Sequence, residues 1–252
     1  RENYIVNGQK IWTSHAHHAD WIFALVRTST EGKKQEGISF LLIDMLTPGL
    51  EVKPIISIDG GHYLNEVYFT DVKVPVANRI GEENLGWTYA KYLLGHERTG
   101  IAGVAKSKRK LEKLKEIAGL EQDSGEPLID DPNFKSKVAS VGIKLQALEV
   151  TNLRTLSAVS AGKSPGDASS ILKIRGTEVE QELNELLMQS IGYYAHPYQP
   201  GRLFNQQSNM IPVGGDHSVG LIEEHLLRRA ASIYGGSNEI QKNIIAKAIM
   251  GL

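Results

Sequence analysis

Three short clusters in the sequence contain residue types that could bind or transform a small molecule. In residues 10–14 (KIWTS), Trp12 is followed directly by the hydroxyl side chains of Thr13 and Ser14. An indole offers a flat apolar face for stacking, and hydroxyl groups donate or accept hydrogen bonds at the edge of a ring. The cluster is a candidate site for a planar ligand, although a core Trp beside two exposed hydroxyls is the commoner structure behind this pattern.

The second cluster, residues 234–241 (YGGSNEIQ), places two glycines directly before a helix. Free amides at a helix N-terminus attract an anion, and glycine allows a ligand to approach the backbone closely. An ordinary N-cap at Ser237, preceded by a glycine turn, explains the same residues and is more common for an isolated motif.

The third cluster is the Glu97-Arg98 pair on an otherwise apolar helix face. A carboxylate on a partly buried helix either pairs with an arginine for structural reasons or acts as a base with a perturbed pKa. Structural pairing is the commoner cause, so the pattern alone leaves both roles open.

The elements that must position these clusters change in character near residue 82. Before it, short β-rich segments alternate with turn residues, which predicts an antiparallel β-domain over residues 1–81. Asn7-Gly8 predicts a tight hairpin turn, because both residues tolerate a positive φ. The predicted strands are 3–6, 9–13, 20–28, 37–44, 50–57 and 64–74.

After residue 82, apolar residues recur at helical spacing, which predicts an up-down helical bundle over residues 82–252 and an α+β fold class for the whole chain. Asp131-Pro132 favours a helix start and Gly162 its end, and Ser164-Pro165 starts another helix that reaches Ile191-Gly192. Two further helices are predicted at 218–233 and 237–250.

Two other clusters are not predicted to be sites. The basic run at residues 106–110 alternates with apolar residues and has carboxylates nearby, which indicates a solvated helix face. His15 and His17 would share one face of a strand that His18 leaves, and Asp20 is the one carboxylate at a convincing spacing, so no metal site is predicted.

The composition of the chain excludes several classes of protein. A net charge of −1 over 252 residues provides no basic field for nucleic acid, and no apolar run is long enough to span a membrane. The absence of cysteine excludes disulfides and a catalytic thiol and fits a reducing compartment, so we expect a cytoplasmic protein. Because the chain starts at Arg1 with a strand already begun, we expect an N-terminal part to be missing.

Taken in order, the three clusters resemble the acyl-CoA dehydrogenase family, and the resemblance covers essentially the whole chain. The motifs are KIWTS, then ERxxIA from Glu97, then IYGGSNEIQKNIIAK from Ile233. Residues 94–104 and 10–21 look like the large subunit of bacterial pimeloyl-CoA dehydrogenase and its relatives. The resemblance implies a fold of N-terminal helices, a middle β-domain and a C-terminal four-helix bundle, of which this chain has the last two.

The resemblance also implies FAD as the cofactor. By similarity, Trp12 lies against the flavin ring and Ser14 bonds its N5 edge, and Thr13 between them is also a cofactor-binding residue. Other cofactor-binding residues implied by the family motifs are Gln189, Gly192, Gly236, Ser237 and Glu239, some of which would contact the flavin of a neighbouring subunit.

Two departures from the family pattern affect the expected assembly. The family usually has a second glycine after the one matched by Gly192, whereas this chain has Tyr193. The family's arginine-phenylalanine segment has no counterpart around residues 133–135. These departures favour a hetero-oligomer in which FAD is held mainly at one kind of interface.

The resemblance implies a catalytic base and an oxyanion donor. Many members carry the base directly after the tyrosine that matches Tyr234, but this chain has Gly235 there. Other members, the isovaleryl and long-chain types, carry it on the first helix of the bundle at a position that Glu97 matches, so the resemblance implies Glu97 as the base. Gly235 would donate its amide to the thioester oxygen, and Arg98 and Tyr234 are candidate substrate-binding residues.

The implied reaction converts an acyl-CoA to a trans-2-enoyl-CoA and passes electrons to an electron-transferring flavoprotein. The α-carbon of a thioester is a very weak acid. Burial would raise the pKa of the glutamate, and hydrogen bonds would stabilise the developing enolate, so that the proton transfer becomes feasible. The alternative is a non-catalytic subunit that completes a partner's cofactor site in a homo- or hetero-oligomer.

Overall fold

The computed structural model describes residues 2–100, 102–163, 168–199, 209, 211 and 213–251, without the side chains of residues 95–99, 168, 249 and 250. The chain divides into two compact units, Arg1–Leu94 and Gly95–Leu252. The boundary between a β-domain and a helical domain at residues 81–82 stays a prediction. The α+β class with an antiparallel β-domain and a helical bundle is confirmed.

The first unit contains two antiparallel three-stranded sheets. Its strands are β1 (Asn3–Lys10), β2 (Trp21–Arg27), β3 (Ile38–Asp44), β4 (Leu50–Ile56), β5 (His62–Pro75) and β6 (Arg79–Ile80). One sheet has the order β1-β5-β4 and the other β2-β3-β6. Alternate residues along β3 and β5 point inward, as expected for strands with one buried face. The core of this unit includes Tyr4, Ala24, Leu41, Ile43, Val67, Phe69, Val72 and Val74.

The hairpin predicted at Asn7-Gly8 is wrong, because β1 continues through these residues. Both halves of β1 pair with β5, and the register shifts between Val6 and Gly8, which marks a β-bulge. Gly8 has a φ of 143°, and the Asn7 side chain exchanges hydrogen bonds with the side chain and backbone amide of Asp71 at 2.9 and 2.8 Å. Asn7 and Gly8, which favour a tight turn by their residue types, therefore form a β-bulge in the pairing of β1 with β5.

The second unit is a helical bundle, and the division between the units falls within α1. The helices are α1 (Gly86–Gly100), α2 (Val104–Leu120), α3 (Pro132–Ser160), α4 (Ala168–Ile191), α5 (Leu221–Arg228) and α6 (Asn238–Ile245). Short strands β7 (Gln122–Asp123) and β8 (Glu126–Pro127) form a hairpin before α3. The bundle core includes Leu114, Ile117, Val141, Leu145, Leu172, Leu183 and Leu187.

The local signals for α3 act as predicted. Asp131 accepts a hydrogen bond from the amide of Phe134 at 2.7 Å, and Pro132 occupies the first turn, where its missing N–H costs nothing. Gly162, with a φ of 76°, follows the end of the helix. The predicted start of the next helix at Ser164-Pro165 lies outside the described residues, and its predicted end agrees with Ile191.

The last two predicted helices are shorter than expected. The segment predicted as 218–233 contains α5 flanked by 3₁₀ turns at Asp216–Ser218 and Arg229–Ser232. The segment predicted as 237–250 contains α6, which continues as a π-helical turn at Ala246–Met250. Among the described residues, no helix is both long and apolar enough to cross a membrane.

The solvated helix face predicted for residues 106–110 is partly wrong. Lys108 is exposed and pairs with Glu149, as expected for a surface residue. Lys110 is instead buried, with its ammonium 2.9 Å from both the Glu224 carboxylate and the Asn184 side-chain oxygen. Burial lowers the pKa of Lys110, although the Glu224 carboxylate opposes this effect. The basic run therefore combines solvated charges with a cation inside the bundle.

Candidate functional site

The Trp12 loop leaves the sheet directly after β1. Trp12 has a φ of 62°, which is unusual for a large side chain, and its side chain is 61% exposed. The core-Trp alternative is therefore excluded within this unit. The indole presents an open apolar face, and Thr13 and Ser14 follow it on the same loop.

Asn65, near the start of β5, holds the Trp12 loop through hydrogen bonds to Thr13. Its backbone oxygen accepts from the Thr13 amide at 2.9 Å, and its side-chain nitrogen donates to the Thr13 oxygen at 3.0 Å. Asn65 is completely buried, and its side chain also bonds His62 at 2.8 Å and His17 at 3.1 Å. Sequence reasoning missed this residue, for which the one signal was a polar side chain among inward-facing positions of a strand.

The three clustered histidines do not lie on a strand, because Ala16–His18 forms a 3₁₀ turn. The His17 ring stacks on the His62 ring with centroids 3.9 Å apart and lies 4.0 Å from the His18 ring. Desolvation and the neighbouring His18 and His62 rings lower the pKa of His17 below its ordinary value. In the part of the chain that the structure describes, no three His, Asp or Glu side chains are arranged to hold a metal ion.

The lowered pKa of His17 predicts that the β-unit loses stability in acid. Below about pH 6.5 the unfolded state takes up a proton at this position while the folded state does not, so unfolding becomes more favourable as the pH falls. All three tryptophans (12, 21 and 87) belong to this unit, so their fluorescence reports its unfolding. We expect the urea midpoint to fall between pH 7.5 and 5, and to fall less in His17→Gln.

The exposed His196 provides the control for this experiment. His196→Gln should keep the pH dependence of the wild type. An identical pH dependence in His17→Gln and the wild type would contradict the prediction.

The second cluster forms a glycine turn that leads into α6. Gly235 and Gly236 have φ values of 65° and 86°, a region that residues with a Cβ rarely adopt. A Cβ on Gly236 would lie 2.5 Å from the side-chain nitrogen of Gln241, so a larger residue there would require the Gln241 side chain to move. Tyr234 is half-exposed, and its hydroxyl accepts from Arg228 at 3.5 Å.

Ser237 is the N-cap of α6, as the simpler interpretation of the motif predicts. Its hydroxyl oxygen accepts from the amide of Ile240 at 3.4 Å. Hydrogen bonds from the Glu239 amide and the Ser237 hydroxyl lower the pKa of the exposed Glu239 carboxylate. Because this anion already lies at the helix N-terminus, the turn favours the hydroxyl groups of a ligand over a phosphate.

We expect Ser237→Ala to lower the free energy of unfolding of the helical unit by about 1 kcal/mol, because the first turn of α6 loses its side-chain acceptor. Thermal unfolding followed by far-ultraviolet circular dichroism would measure the change. Ser157→Ala, an exposed position within α3, is the matched control and should be neutral or slightly stabilising. Equal effects of the two substitutions would contradict the assigned cap.

Gln189 and Gly192 lie at the end of α4, far from the glycine turn. The side-chain oxygen of Gln189 accepts from Lys137 at 3.0 Å, and Gly192 adopts a φ of 54° where the helix ends. Tyr193, which replaces the expected second glycine, is 90% exposed. Asn238, in the first turn of α6, bonds Lys173 of α4. Lys173 lies 16 residues before Gln189. The two residues are therefore about 24 Å apart along α4.

The other predicted site residues are described only in part. The backbones of Glu97 and Arg98 belong to the last turns of α1, but their side chains lie outside the described residues. Within the helical unit, the structure brings together Tyr234, Gly235, Gly236, Ser237 and Glu239 on one turn. Trp12, Thr13 and Ser14 share one loop of the β-unit.

Comparison with known proteins matches both parts of the chain to one family. The family model "Acyl-CoA dehydrogenase, middle domain" matches residues 1–72, and "Acyl-CoA dehydrogenase, C-terminal domain" matches residues 84–250. The chain is 36% identical over 264 aligned residues to the acyl-CoA dehydrogenase FadE26 of Mycobacterium tuberculosis, with 100% of this chain and 62% of that protein aligned.

Solved structures give the same result. A chain of the ChsE4-ChsE5 complex from Mycobacterium tuberculosis is 32% identical with a TM-score of 0.82, and a chain of the Tcur3481-Tcur3483 steroid ACAD is 27% identical with a TM-score of 0.82. The comparison covers 100% of this chain in both cases, and 62% and 61% of those chains. The chain thus spans about three fifths of the length of its relatives. It belongs to the acyl-CoA dehydrogenase family of oxidoreductases, of which it contains the middle and C-terminal domains.

Proposed function

We propose that the protein containing this chain is an FAD-dependent acyl-CoA dehydrogenase that converts an acyl-CoA thioester to its trans-2-enoyl-CoA. The observation that carries the proposal is the exposed Trp12 indole, turned out of the sheet at a positive φ and fixed through Thr13 by the buried Asn65. A large aromatic side chain at a positive φ with its apolar face in water costs free energy. A planar ligand that stacks on the indole would offset this cost.

The described residues fit the flavin. In the proposed site, Trp12 stacks on the ring system while Thr13 and Ser14 provide hydroxyl groups for its edge. The exposed backbone at Gly236 has no side chain, so a ligand can approach it closely, and the exposed Glu239 offers a carboxylate to ligand hydroxyls. When bound, FAD supplies the acceptor for the hydride that leaves the β-carbon of the substrate.

The remaining roles belong to the residues of this chain. Glu97 is the proposed base that takes the α-proton of the thioester, and the amide of Gly235 is the proposed donor to the thioester oxygen. The positive φ of Gly235 supports this role, because it turns the backbone in a way that residues with a Cβ rarely adopt. Arg98 and Tyr234 are proposed to contact the substrate, and an electron-transferring flavoprotein is the proposed electron acceptor.

An oligomeric assembly is part of the proposal. The roughly 24 Å along α4 between Gln189 and Lys173, which bonds Asn238, favours contacts of these two regions with different parts of a cofactor or with different cofactors. Ile143, Val150 and Leu153 on α3 are 69%, 54% and 58% exposed, which supports burial against another subunit. The similarity to a chain of the two-component ChsE4-ChsE5 complex supports a hetero-oligomer.

A non-catalytic subunit is the second candidate, and Tyr193 favours it. A bulky exposed ring replaces the small residue expected at the flavin-binding helix, which would weaken cofactor binding from this side. The likeness to pimeloyl-CoA dehydrogenase and a bacterial, cytoplasmic location are finer proposals that rest on the sequence alone.

Anaerobic titration of the purified full-length protein, with its partner subunit if one copurifies, tests the proposed function. We expect the flavin absorbance to bleach on addition of acyl-CoA, and mass spectrometry to detect a product two hydrogens lighter. A panel of straight-chain, dicarboxylic and steroid-side-chain thioesters would define the substrate class. A flavin that binds but is not bleached by any thioester in the panel would favour the non-catalytic alternative.

A further inference from the structure

Three polar residues form a stripe along one face of α4. Lys173, Thr177 and Gln181 are spaced four residues apart, so their side chains point in the same direction. Lys173 is completely buried and Thr177 is 3% exposed, which is unusual for these residue types. The buried apolar residues Leu172 and Leu183 belong to the bundle core, so this stripe serves a different contact.

The first two residues of the stripe hold the start of α6. The Lys173 ammonium donates to the side-chain oxygen of Asn238 at 2.9 Å, and the Asn238 side-chain nitrogen donates to the Thr177 hydroxyl at 3.3 Å. The Thr177 hydroxyl in turn donates back to α4, where the Lys173 backbone oxygen lies 3.0 Å away. Asn238 directly follows the cap residue Ser237, so this cluster fixes the end of the glycine turn.

The third residue of the stripe holds the segment before the glycine turn. The side-chain nitrogen of Gln181 lies 3.1 and 3.3 Å from the backbone oxygens of Arg228 and Arg229 and 3.4 Å from the hydroxyl of Ser232. The neighbouring Glu180 carboxylate lies 3.2 Å from the Arg228 guanidinium. Both ends of the segment from residue 229 to 237 are therefore attached to one rigid helix.

We propose that Lys173, Thr177 and Gln181 are positioning residues that hold the Tyr234–Ser237 turn in its binding geometry. The two glycines at positive φ make the turn compatible with a ligand but leave its backbone free to move in many directions. Attachment at both ends removes that freedom before a ligand arrives. The inference rests on the proposed function insofar as this turn contacts cofactor and substrate.

The chemistry of Lys173 separates positioning from stability. Among the described residues, its hydrogen-bond partner is a neutral amide, and burial lowers its pKa. Desolvation of this buried cation is costly, and an apolar side chain of similar shape removes that cost. Lys173→Met also removes the attraction of the Glu239 carboxylate and the donor at 2.9 Å to the buried Asn238 oxygen, which the Thr177 hydroxyl still contacts at 3.4 Å. Because these effects oppose one another, Lys173→Met should change the stability little while it removes the bond that positions Asn238.

Hydrogen exchange and kinetics in the full-length protein test this proposal. In Lys173→Met we expect amide exchange in residues 234–237 to accelerate at least tenfold, with little change in the urea midpoint. We expect kcat to fall by about 10- to 100-fold with little change in KM, because small displacements of reacting groups have effects of this size. The exposed Arg175, which pairs with Glu178 on the same helix, provides the control Arg175→Met, which should match the wild type in all three measurements.

A second variant covers the case in which Lys173→Met does not fold. Thr177→Val keeps the shape of the side chain and removes only the hydroxyl that bonds Asn238, and should give the same direction of change. If either folded variant had the amide exchange and the kcat of the wild type, the proposal would be overturned. Faster exchange together with a lowered urea midpoint and an unchanged kcat would also overturn it, because the effect would then be one of stability alone. Faster exchange in a protein that binds no FAD and oxidises no acyl-CoA would instead refute the proposed function and leave the positioning role in place.

Discussion

Replacement of Glu97 by glutamine should lower kcat for acyl-CoA dehydrogenation by about 10²- to 10⁴-fold, the range that a general base contributes. Glutamine has almost the same shape as glutamate but does not take the α-proton of the thioester. The FAD content should not change, because the proposed flavin contacts lie elsewhere on the chain. Steady-state kinetics with an artificial electron acceptor, together with the ratio of flavin to protein absorbance, would measure both quantities.

Glu112, an exposed residue of α2 that pairs with Lys115, offers the matched control. Glu112→Gln removes a carboxylate from the same unit and should leave kcat within about twofold, because exposed ion pairs contribute little. Full turnover and full flavin bleaching in Glu97→Gln would remove the proposed base and support the non-catalytic alternative.

The largest effect on stability is expected for Asn65→Ala. The substitution removes a completely buried side chain and leaves the partly buried Thr13 oxygen without its side-chain donor, whereas the exposed His62 ring can bond water instead. We expect the free energy of unfolding of the β-unit to fall by about 1–3 kcal/mol. Urea unfolding monitored by tryptophan fluorescence would measure this loss, and the affinity for FAD should fall with it because the Trp12 loop is no longer fixed.

The same type of residue at an exposed position of the neighbouring strand gives the control. Asn3→Ala on β1 should change the free energy of unfolding by less than about 0.5 kcal/mol. If Asn65→Ala and Asn3→Ala had equal stabilities, the bonds from Asn65 would not support the loop. Retention of wild-type FAD affinity in a clearly destabilised Asn65→Ala would separate its structural role from its proposed role in the site.

Many features of the fold could be predicted from sequence because their causes are local. The cap at Asp131 and the cap at Ser237 each depend on a side chain that bonds an amide three residues later. Apolar residues recur at every second position in the β-unit and once per helical turn in the bundle, so the sequence also distinguishes the two parts. The order of the three motifs also predicted the family, which the comparisons confirm.

The features that were predicted wrongly or missed depend on contacts between distant parts of the chain. Asn7-Gly8 has the local preference of a hairpin turn, but pairing of both halves of β1 with β5 converts it to a bulge. Lys110 has the local pattern of a surface residue, but Glu224 and Asn184 approach it from distant parts of the chain and allow it to be buried. In each case, a long-range contact overrides the local preference.

The sequence by itself therefore determined the fold class, the main helices and strands, and the residue types available for chemistry. Only the tertiary structure decided which residues hold the candidate site. Asn65 bonds Thr13 across 52 positions, and Lys173 bonds Asn238 across 65 positions. Periodicity and capping describe neighbours within one helical turn or one strand, whereas burial and partner choice arise when distant segments pack together.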